Sequence, residues 1–181
     1  MSEDFQIRLL APGDIDLIGE IDRSEYMDKE YSMADGRLVA RPVDFDIPTW
    51  HREGSGEFSV SSVIEQWRPI VAEGAVFMGA FDVDELLGLV IVDGSLEPGL
   101  AWLAFLHVSR IHRRRGVATA LWSAAEAIAA EAKAASMYVS AAPTGSAVGF
   151  YLSRGCGLAD PPHPGLLAKE PEDIHLVCPM S

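Results

Sequence analysis

Arg113-Arg114-Arg115-Gly116-Val117-Ala118 follows an apolar run, Ala101 to Val108, and precedes an alanine-rich segment, Val117 to Ala135. This order predicts a strand, a tight glycine turn and a helix. The first turn of a helix carries backbone N–H groups without an intrahelical partner, and the helix dipole adds partial positive charge there. Glycine lets the backbone approach a ligand closely. The stretch therefore predicts a site for a phosphate or pyrophosphate.

The charge of the chain is uneven around this site. The 181 residues include 14 basic and 27 acidic side chains, a formal net charge of −13, yet residues 110–135 carry five basic and two acidic ones. Because phosphate neutralisation supplies most of the affinity for nucleic acid, a chain this acidic is a poor nucleic-acid binder. Its short basic patch suits one small polyphosphate. The acidic first half would suit a cationic amine, or it simply keeps the protein soluble.

Length and cysteine content bound the class of protein. A chain of 181 residues is by default one domain. Cys156 and Cys178, the two cysteines of the chain, indicate thiols in a reducing cytoplasm. Met1-Ser2-Glu3-Asp4 lacks the layout of an export signal, and no apolar run approaches the roughly 18 residues that span a bilayer. We therefore expect a cytoplasmic protein without membrane contact.

Hydrophobic periodicity predicts the remaining elements. Alternating or continuous apolar runs predict strands at Phe5–Leu10, Ala75–Phe81, Leu86–Val92, Leu100–Val108, Met137–Ala141 and Ile174–Met180. Helical spacing predicts helices over about residues 15–25, 60–71, 117–135 and 145–154. The result is an α/β (α+β) fold, a mixed and mostly antiparallel sheet of about six to seven strands with helices on both faces.

The stretch from Tyr26 to Gly56 is the hardest to interpret. Ala34-Asp35-Gly36 resembles a hairpin turn, whereas Pro42 and Pro48 indicate loop beyond it. Long irregular segments inside a compact domain are often functional.

Two motifs on this frame resemble those of the GNAT N-acetyltransferases. The run from Leu106 to Leu121 resembles the acetyl-CoA motif, R/Q-x-x-G-x-G/A, whose three fixed positions are matched by Arg113, Gly116 and Ala118. The run from Ala147 to Cys156 resembles the second motif, A-x-x-F-Y-x-x-x-G-F, with Cys156 in place of the last phenylalanine. We interpret Cys156 as a small buried side chain rather than a reactive thiol.

The resemblance implies a single GNAT acetyltransferase domain over residues 1–181. It covers about residues 70–180, which would form the acetyl-CoA-binding core. Residues 1–70 match in layout only and would supply acceptor-binding helices and a loop.

The resemblance also implies the residues that hold the cofactor, acetyl-CoA, which acts as the acyl donor. Backbone N–H groups from Arg114 to Thr119 would cradle the pyrophosphate, and one or more of the arginines at 110, 113, 114 and 115 would meet phosphates, which suit guanidinium geometry. The end of the strand would pair with the pantetheine arm and polarise the thioester carbonyl. The expected contacts are Leu106, His107, Val108, Arg113, Arg114, Arg115, Gly116, Val117, Ala118, Thr119 and Tyr151. No motif for a metal, ATP or a dinucleotide is present.

Tyr151 is the expected catalytic residue, because a tyrosine at this motif position lies near the CoA sulfur in the family. A phenol with a pKa of roughly 10 can protonate the departing thiolate as a general acid; the alternative is that Tyr151 only packs its helix.

The sequence does not single out one general base. Trp102 stands where the family often has a glutamate, so the candidates are His107, Asp93, Glu97, an acidic residue of the N-terminal half, or an ordered water.

These residues predict transfer of an acetyl group from acetyl-CoA to a primary amine, on a small molecule or a protein, by direct attack in a ternary complex. The alternatives are a non-catalytic CoA-binding sensor, and an interaction domain whose arginines bind a partner's carboxylates. The sequence does not decide between a monomer and a homodimer. Carboxylates among aromatics in the loop from Tyr26 to Gly56 would line the acceptor pocket; these are Tyr26, Asp28, Glu30, Tyr31, Asp44, Asp46 and Trp50.

Overall fold

The computed structural model describes residues 5–180, so the expectation for Met1–Asp4 lies outside the described residues. Its strands are β1 Gln6–Leu9, β2 Glu25–Ala34, β3 Arg37–Ile47, β4 Val76–Asp82, β5 Glu85–Glu97, β6 Leu100–Val108, β7 Ser136–Ala141, β8 Gly157–Leu158 and β9 Ile174–Pro179. Its α-helices are α1 Val60–Ala72, α2 Val117–Glu131, α3 Gly145–Ser153 and α4 Pro164–Lys169, and 3₁₀ helices cover Pro12–Glu20 and Arg110–His112.

Seven strands form one sheet in the order β1-β4-β5-β6-β7-β9-β8. Every neighbouring pair is antiparallel except β6 and β7, which run parallel. Helix α2 makes the crossover between these two strands, as a parallel connection requires. The mixed sheet confirms the predicted fold class.

Each face of the sheet is covered by its own hydrophobic core. Helices α2 and α3 cover one face, where Leu121 and Val148 are fully buried. The first 3₁₀ helix, α1 and α4 cover the other face, where Ile15, Trp67 and Leu166 are buried. The sheet therefore lies between two helical layers, which is why β6 is apolar along almost its whole length.

Strands β6 and β7 part before β6 ends. Their pairing runs from Leu100 with Ser136 to Leu103 with Val139 and then stops. On its other side β6 stays paired with β5 as far as Val108, across a one-residue register shift after Leu103. Such a bulge bends a strand. The end of β6 thus presents backbone that β7 does not pair, at the carboxyl ends of the two parallel strands.

A long hairpin occupies much of the segment that was hard to interpret. Strands β2 and β3 form a two-stranded sheet, and the predicted turn at Ala34-Asp35-Gly36 is confirmed by the pairing of Ala34 with Arg37. The expectation that Pro42 marks loop is wrong. Pro42 pairs with Lys29 beside a β-bulge, where a residue without an N–H is tolerated.

The two cysteines are not free thiols. Cys156, which follows α3, and Cys178, on β9, form a disulfide. Both are buried, so Cys156 is a small buried side chain, but the inference of a reducing compartment from two thiols loses its basis. No helix among residues 5–180 is long and apolar enough to cross a membrane.

Candidate functional site

The turn between β6 and α2 has the backbone needed to hold an anion. Arg114 and Gly116 both have left-handed backbones, with φ of 62° and 83°, and α2 begins at Val117 without a side-chain cap. Its first-turn N–H groups therefore face a recess of about 200 Å³. Arg154 also lines this recess and donates from Nη2 to Oγ1 of Thr119 at 2.6 Å. Arg154 stands at a free position of the second motif, so the sequence alone does not assign it to the site.

The three consecutive arginines point to three different places. Arg113 binds the protein itself, at the carbonyl of Val108, the carbonyl of Arg23 and the carboxylate of Glu25. Arg115 turns toward His112 and Asp82. Arg114 lines the recess and the groove that adjoins it.

The outcome for the predicted phosphate contacts follows from these directions. Among the four arginines that were candidates, Arg113 and Arg114 reach the recess and Arg110 and Arg115 are not among its lining residues. The side chain of Arg115 instead lies 3.2 Å from Nδ1 of His112 and 4.0 Å from the carboxylate of Asp82, and its contact with CoA stays a prediction.

A groove of about 360 Å³ runs from this recess along the end of β6 that β7 does not pair. Leu106, His107 and Val108 form one wall, and Phe150 and Tyr151 of α3 form the other. The base of the β2–β3 hairpin closes it, since Glu25 lines the groove and accepts from the Ser146 hydroxyl at 2.6 Å. The structure thus brings together the residues predicted from both motifs.

A larger cavity of about 650 Å³ lies beyond the groove. Aromatic side chains from three parts of the chain line it, namely Trp50, Phe58, Trp67, Phe105 and Tyr151. Charged side chains at its wall are Arg23, Glu57, Lys169, Glu170, Glu172 and Asp173. Carboxylates therefore outnumber cations among the described lining residues, and the cavity suits an apolar molecule that carries positive charge.

The groove and the cavity share part of their walls. Leu106, His107, Ala147 and Tyr151 line both. A thioester in the groove and a second molecule in the cavity would therefore meet at the end of β6, beside the Tyr151 side chain.

The environments of the two predicted catalytic side chains differ. The His107 ring packs against Trp50 and Phe105, with ring centroids 5.3 and 4.6 Å away. Burial, with the positive charges of Arg23 and Arg113, lowers the pKa of His107 to about 4. His107 is therefore neutral and only weakly basic at pH 7. Burial, with the negative charge of Asp173, raises the pKa of Tyr151, so its hydroxyl keeps its proton at pH 7.

Two carboxyl groups that the sequence did not single out lie on the cavity wall. Glu170 follows α4, and Asp173 precedes β9. Burial raises the pKa of both, and the charge of Asp173 raises that of Glu170 further, to about 7. One weak sequence signal points to this part of the site. Proline is common at the first position of a helix, so Pro164 indicates the start of α4 and, indirectly, the turn that follows it.

Most of the predicted acceptor loop lies elsewhere. Among its named side chains only Trp50 lines the cavity. Tyr26 pairs with Asp46 on the hairpin and is 54% exposed. The sequence predicts a hairpin turn followed by loop in this stretch, whereas residues 25–47 form one long hairpin and only residues after it line the cavity.

Asp93 and Glu97, two further candidates for the base, lie at the wrong end of the sheet. Asp93 pairs with Trp102, near the start of β6, and Glu97 binds His163 at 3.0 Å. Neither lines the groove or the cavity. Among residues 5–180 no group of three or more histidine, cysteine or carboxylate side chains is arranged to hold a metal ion.

The comparisons with known proteins agree with this geometry. The family model of the acetyltransferase (GNAT) family matches residues 42–158, which is more than half of the chain, so the protein belongs to the GNAT acetyltransferases. No curated protein sequence matches the chain.

Several solved structures share the fold over the whole chain. A nourseothricin acetyltransferase is 21% identical, with a TM-score of 0.73, over 98% of this chain and 99% of that one. A protein described as a streptothricin acetyltransferase, from Bacillus anthracis str. Ames and bound to acetyl coenzyme A, is 18% identical, with a TM-score of 0.69, over 100% of both chains. PaiA N-acetyltransferase from Thermoplasma acidophilum, bound to coenzyme A, is 18% identical, with a TM-score of 0.61, over 99% of both.

Proposed function

We propose that this protein transfers the acetyl group of acetyl-CoA to a primary amine by direct attack within a ternary complex. The observation that carries the proposal is the junction of the two cavities. The groove that follows the acetyl-CoA motif opens into the carboxylate-rich cavity at Leu106, His107 and Tyr151. Two substrates held in contact there would react with much of the orientational cost already met by binding.

The donor would lie along the groove. The N–H groups of residues 114–119 would bind its pyrophosphate, with Arg114 and Arg154 beside it. The backbone of Leu106, His107 and Val108 would pair with the pantetheine arm in the place that β7 leaves. In the reaction, an N–H at this strand end would bind the oxygen of the thioester carbonyl as it gains negative charge.

Tyr151 would complete the transfer. Its side chain lies at the junction. Its hydroxyl is protonated at pH 7, because an ordinary phenol has a pKa of roughly 10 and the pKa of Tyr151 is raised further. We propose that it donates a proton to the CoA thiolate as the C–S bond breaks. His107, neutral and packed between aromatic rings, would then act through its backbone and as a wall of the site rather than as a strong base.

The acceptor would be a cationic amine. The aromatic and acidic wall of the cavity supports this class, and N-terminal residues such as Trp50, Phe58 and Trp67 supply part of it. Two of the structural neighbours are described as acetyltransferases of nourseothricin and streptothricin, so antibiotics of this kind belong in the first screen. A cytoplasmic location and a homodimer stay predictions.

Titration calorimetry with acetyl-CoA tests the donor site. We expect micromolar binding to the wild type and loss of binding in Gly116→Trp, because the side chain would fill the left-handed turn. A thiol-release assay with spermidine, L-lysine and nourseothricin then tests the transfer.

The absence of the usual strand glutamate, whose place Trp102 takes, favours one second candidate, a CoA-binding module without transferase activity. Tight acetyl-CoA binding with no acetylation of any amine would support that candidate and contradict the proposed transfer.

A further inference from the structure

The turn after α4 places a carboxyl group opposite the helix that carries Tyr151. Residues 169–173 form one wall of the acceptor cavity, while Tyr151 and Ala147 of α3 line it as well. Asp173 and Tyr151 line the same cavity, and the negative charge of Asp173 adds to burial in raising the pKa of Tyr151. An amine in this cavity would therefore lie between the Glu170 turn and the junction with the groove.

A buried hydrogen-bond chain fixes the position of this turn. The backbone N–H of His163 donates to the Tyr138 hydroxyl at 3.0 Å, and that hydroxyl lies 2.8 Å from Nδ1 of His175. Nε2 of His175 lies 2.9 Å from the carbonyl of Glu170. A carbonyl only accepts hydrogen bonds, so Nε2 of His175 donates to the carbonyl of Glu170. Tyr138 and His175 thereby hold the backbone of Glu170 to the sheet.

We propose that Glu170 is the proton acceptor that converts the bound ammonium ion of the substrate into the nucleophilic amine. This assignment rests on the proposed acetyl transfer. It supplies the general base for which β6 carries no glutamate. Trp102 occupies the strand position where a carboxylate would serve, and Asp93 and Glu97 lie away from the cavity. Glu170 would perform this step from the turn that follows α4, on the wall of the cavity.

The surroundings of Glu170 suit a base that works near neutral pH. Burial and the charge of Asp173 raise its pKa to about 7, whereas the Ser140 hydroxyl and the Lys169 ammonium oppose this rise. A general base is most effective when its pKa lies near the working pH. His107 is a weaker base, because its pKa is about 4. The other charged groups that face the cavity are Arg23, Glu57 and Glu172.

The proton movements balance as follows. The ionised Glu170 takes one proton from the ammonium ion and later releases it to solvent through the open cavity. The neutral nitrogen forms a bond to the thioester carbon, and the C–S bond breaks. Tyr151 protonates the thiolate and recovers a proton from the nitrogen, which becomes the amide. The overall products are the acetylated amine, CoA thiol and one proton.

The test compares wild type, Glu170→Gln, Glu170→Asp and a matched control, Glu131→Gln. Glu131 is exposed at the end of α2, away from both cavities. The amine is whichever of spermidine, L-lysine and nourseothricin the wild type acetylates fastest. A parallel assay uses hydroxylamine, whose nitrogen is already unprotonated at neutral pH and needs no base.

We expect kcat/KM of the wild type to rise with pH through a step near 7, and Glu170→Gln to lose about 100-fold at pH 7 together with that step. Glu170→Asp should regain part of the activity. With hydroxylamine, Glu170→Gln should retain most of the wild-type rate. Glu131→Gln should match the wild type throughout, and acetyl-CoA should bind all four proteins equally in calorimetry.

Two results would overturn the role of Glu170 alone. One is an unchanged rate and pH profile in Glu170→Gln. The other is a Glu170 side-chain ¹³C resonance, assigned by its loss in Glu170→Gln, that titrates at the ordinary value for a glutamate. A wild type that binds acetyl-CoA but acetylates neither hydroxylamine nor any of the amines would instead overturn the proposed transfer, and the role of Glu170 with it.

Discussion

Arg113 donates from Nε to the backbone carbonyl of Val108 at 3.0 Å. The arginine that begins the acetyl-CoA motif therefore holds the end of β6 in place, and its Nη2 also binds the carbonyl of Arg23 at 3.1 Å. These hydrogen bonds show that Arg113 helps to shape the groove, and its predicted contact with a phosphate stays a prediction.

Replacement of Arg113 by alanine should destabilise the protein. Loss of hydrogen bonds from a half-buried charged group costs about 2 kcal/mol, and the strand end that walls the groove would lose its anchor. We expect the free energy of unfolding in urea to fall by about that amount and acetyl-CoA to bind more weakly. Arg115→Ala is the control, since Arg115 faces the β4–β5 turn. An equal loss in both variants would contradict the anchoring role.

Replacement of Tyr151 by phenylalanine should affect the chemical step. Without the hydroxyl, the thiolate would leave unprotonated, and we expect kcat to fall by about 100-fold with little change in the KM of acetyl-CoA. Tyr26→Phe removes a hydroxyl from the exposed hairpin and should behave as wild type. Steady-state kinetics by thiol release measures both variants. Full activity in Tyr151→Phe would leave Tyr151 with a packing role.

The hairpin carboxylates should not affect the acceptor. Asp44 and Asp46 lie on β3 and do not line the cavity, so the double alanine variant should keep the KM of the amine. Glu57 does line it, and Glu57→Gln should raise that KM by about fivefold or less, because an exposed ion pair contributes at most about 1 kcal/mol. The opposite pattern in the kinetics would place the acceptor on the hairpin.

His107 should make the protein sensitive to acid. Its pKa is lowered to about 4 in the folded state, mainly by burial, whereas an unfolded histidine titrates near 6.5. The unfolded chain therefore binds the proton first, and stability is lost as the pH falls from about 6.5 toward 4. Urea unfolding over this range should show a shallower loss in His107→Phe. Parallel curves for the two proteins would contradict this assignment.

The disulfide should stabilise the fold. It closes a loop between residues 22 positions apart, for which the loss of chain entropy in the unfolded state predicts about 3 kcal/mol. The double variant Cys156→Ala and Cys178→Ala should therefore unfold at lower urea concentration, and a reducing agent should have the same effect on the wild type only. A wild type insensitive to the reducing agent, with the disulfide shown to be reduced, would speak against this contribution.

The parts of the fold that follow from local periodicity could be predicted from the sequence. The predictions of β6, of α2 and of the glycine turn between them are confirmed. Each depends only on residues that are neighbours along the chain. The positions of Glu170 and Cys178 depend on how the last strand, β9, returns to the sheet between β7 and β8. That return follows from long-range pairing with β7, for which no local pattern exists.

The candidate site was predictable to a similar extent. Gly116 and Tyr151 lie in motifs whose spacing is fixed by a turn or a helix, so the groove could be inferred. The acceptor cavity combines Trp50 and Trp67 with the turn at Glu170, which lies more than a hundred residues further along the chain. The composition of the stretch from Tyr26 to Gly56 predicts an acceptor loop. Within this stretch only the turn of the hairpin follows from a local sequence pattern.

The shared wall of the groove and the cavity has a consequence for the order of events. Leu106, His107 and Tyr151 line both spaces, so the acyl end of a bound donor would form the floor on which the acceptor rests. An acceptor that bound before the donor would lack the contact with the acyl group and would therefore bind more weakly. For the proposed transfer we therefore expect a sequential and ordered kinetic scheme, in which the donor binds first and CoA leaves last.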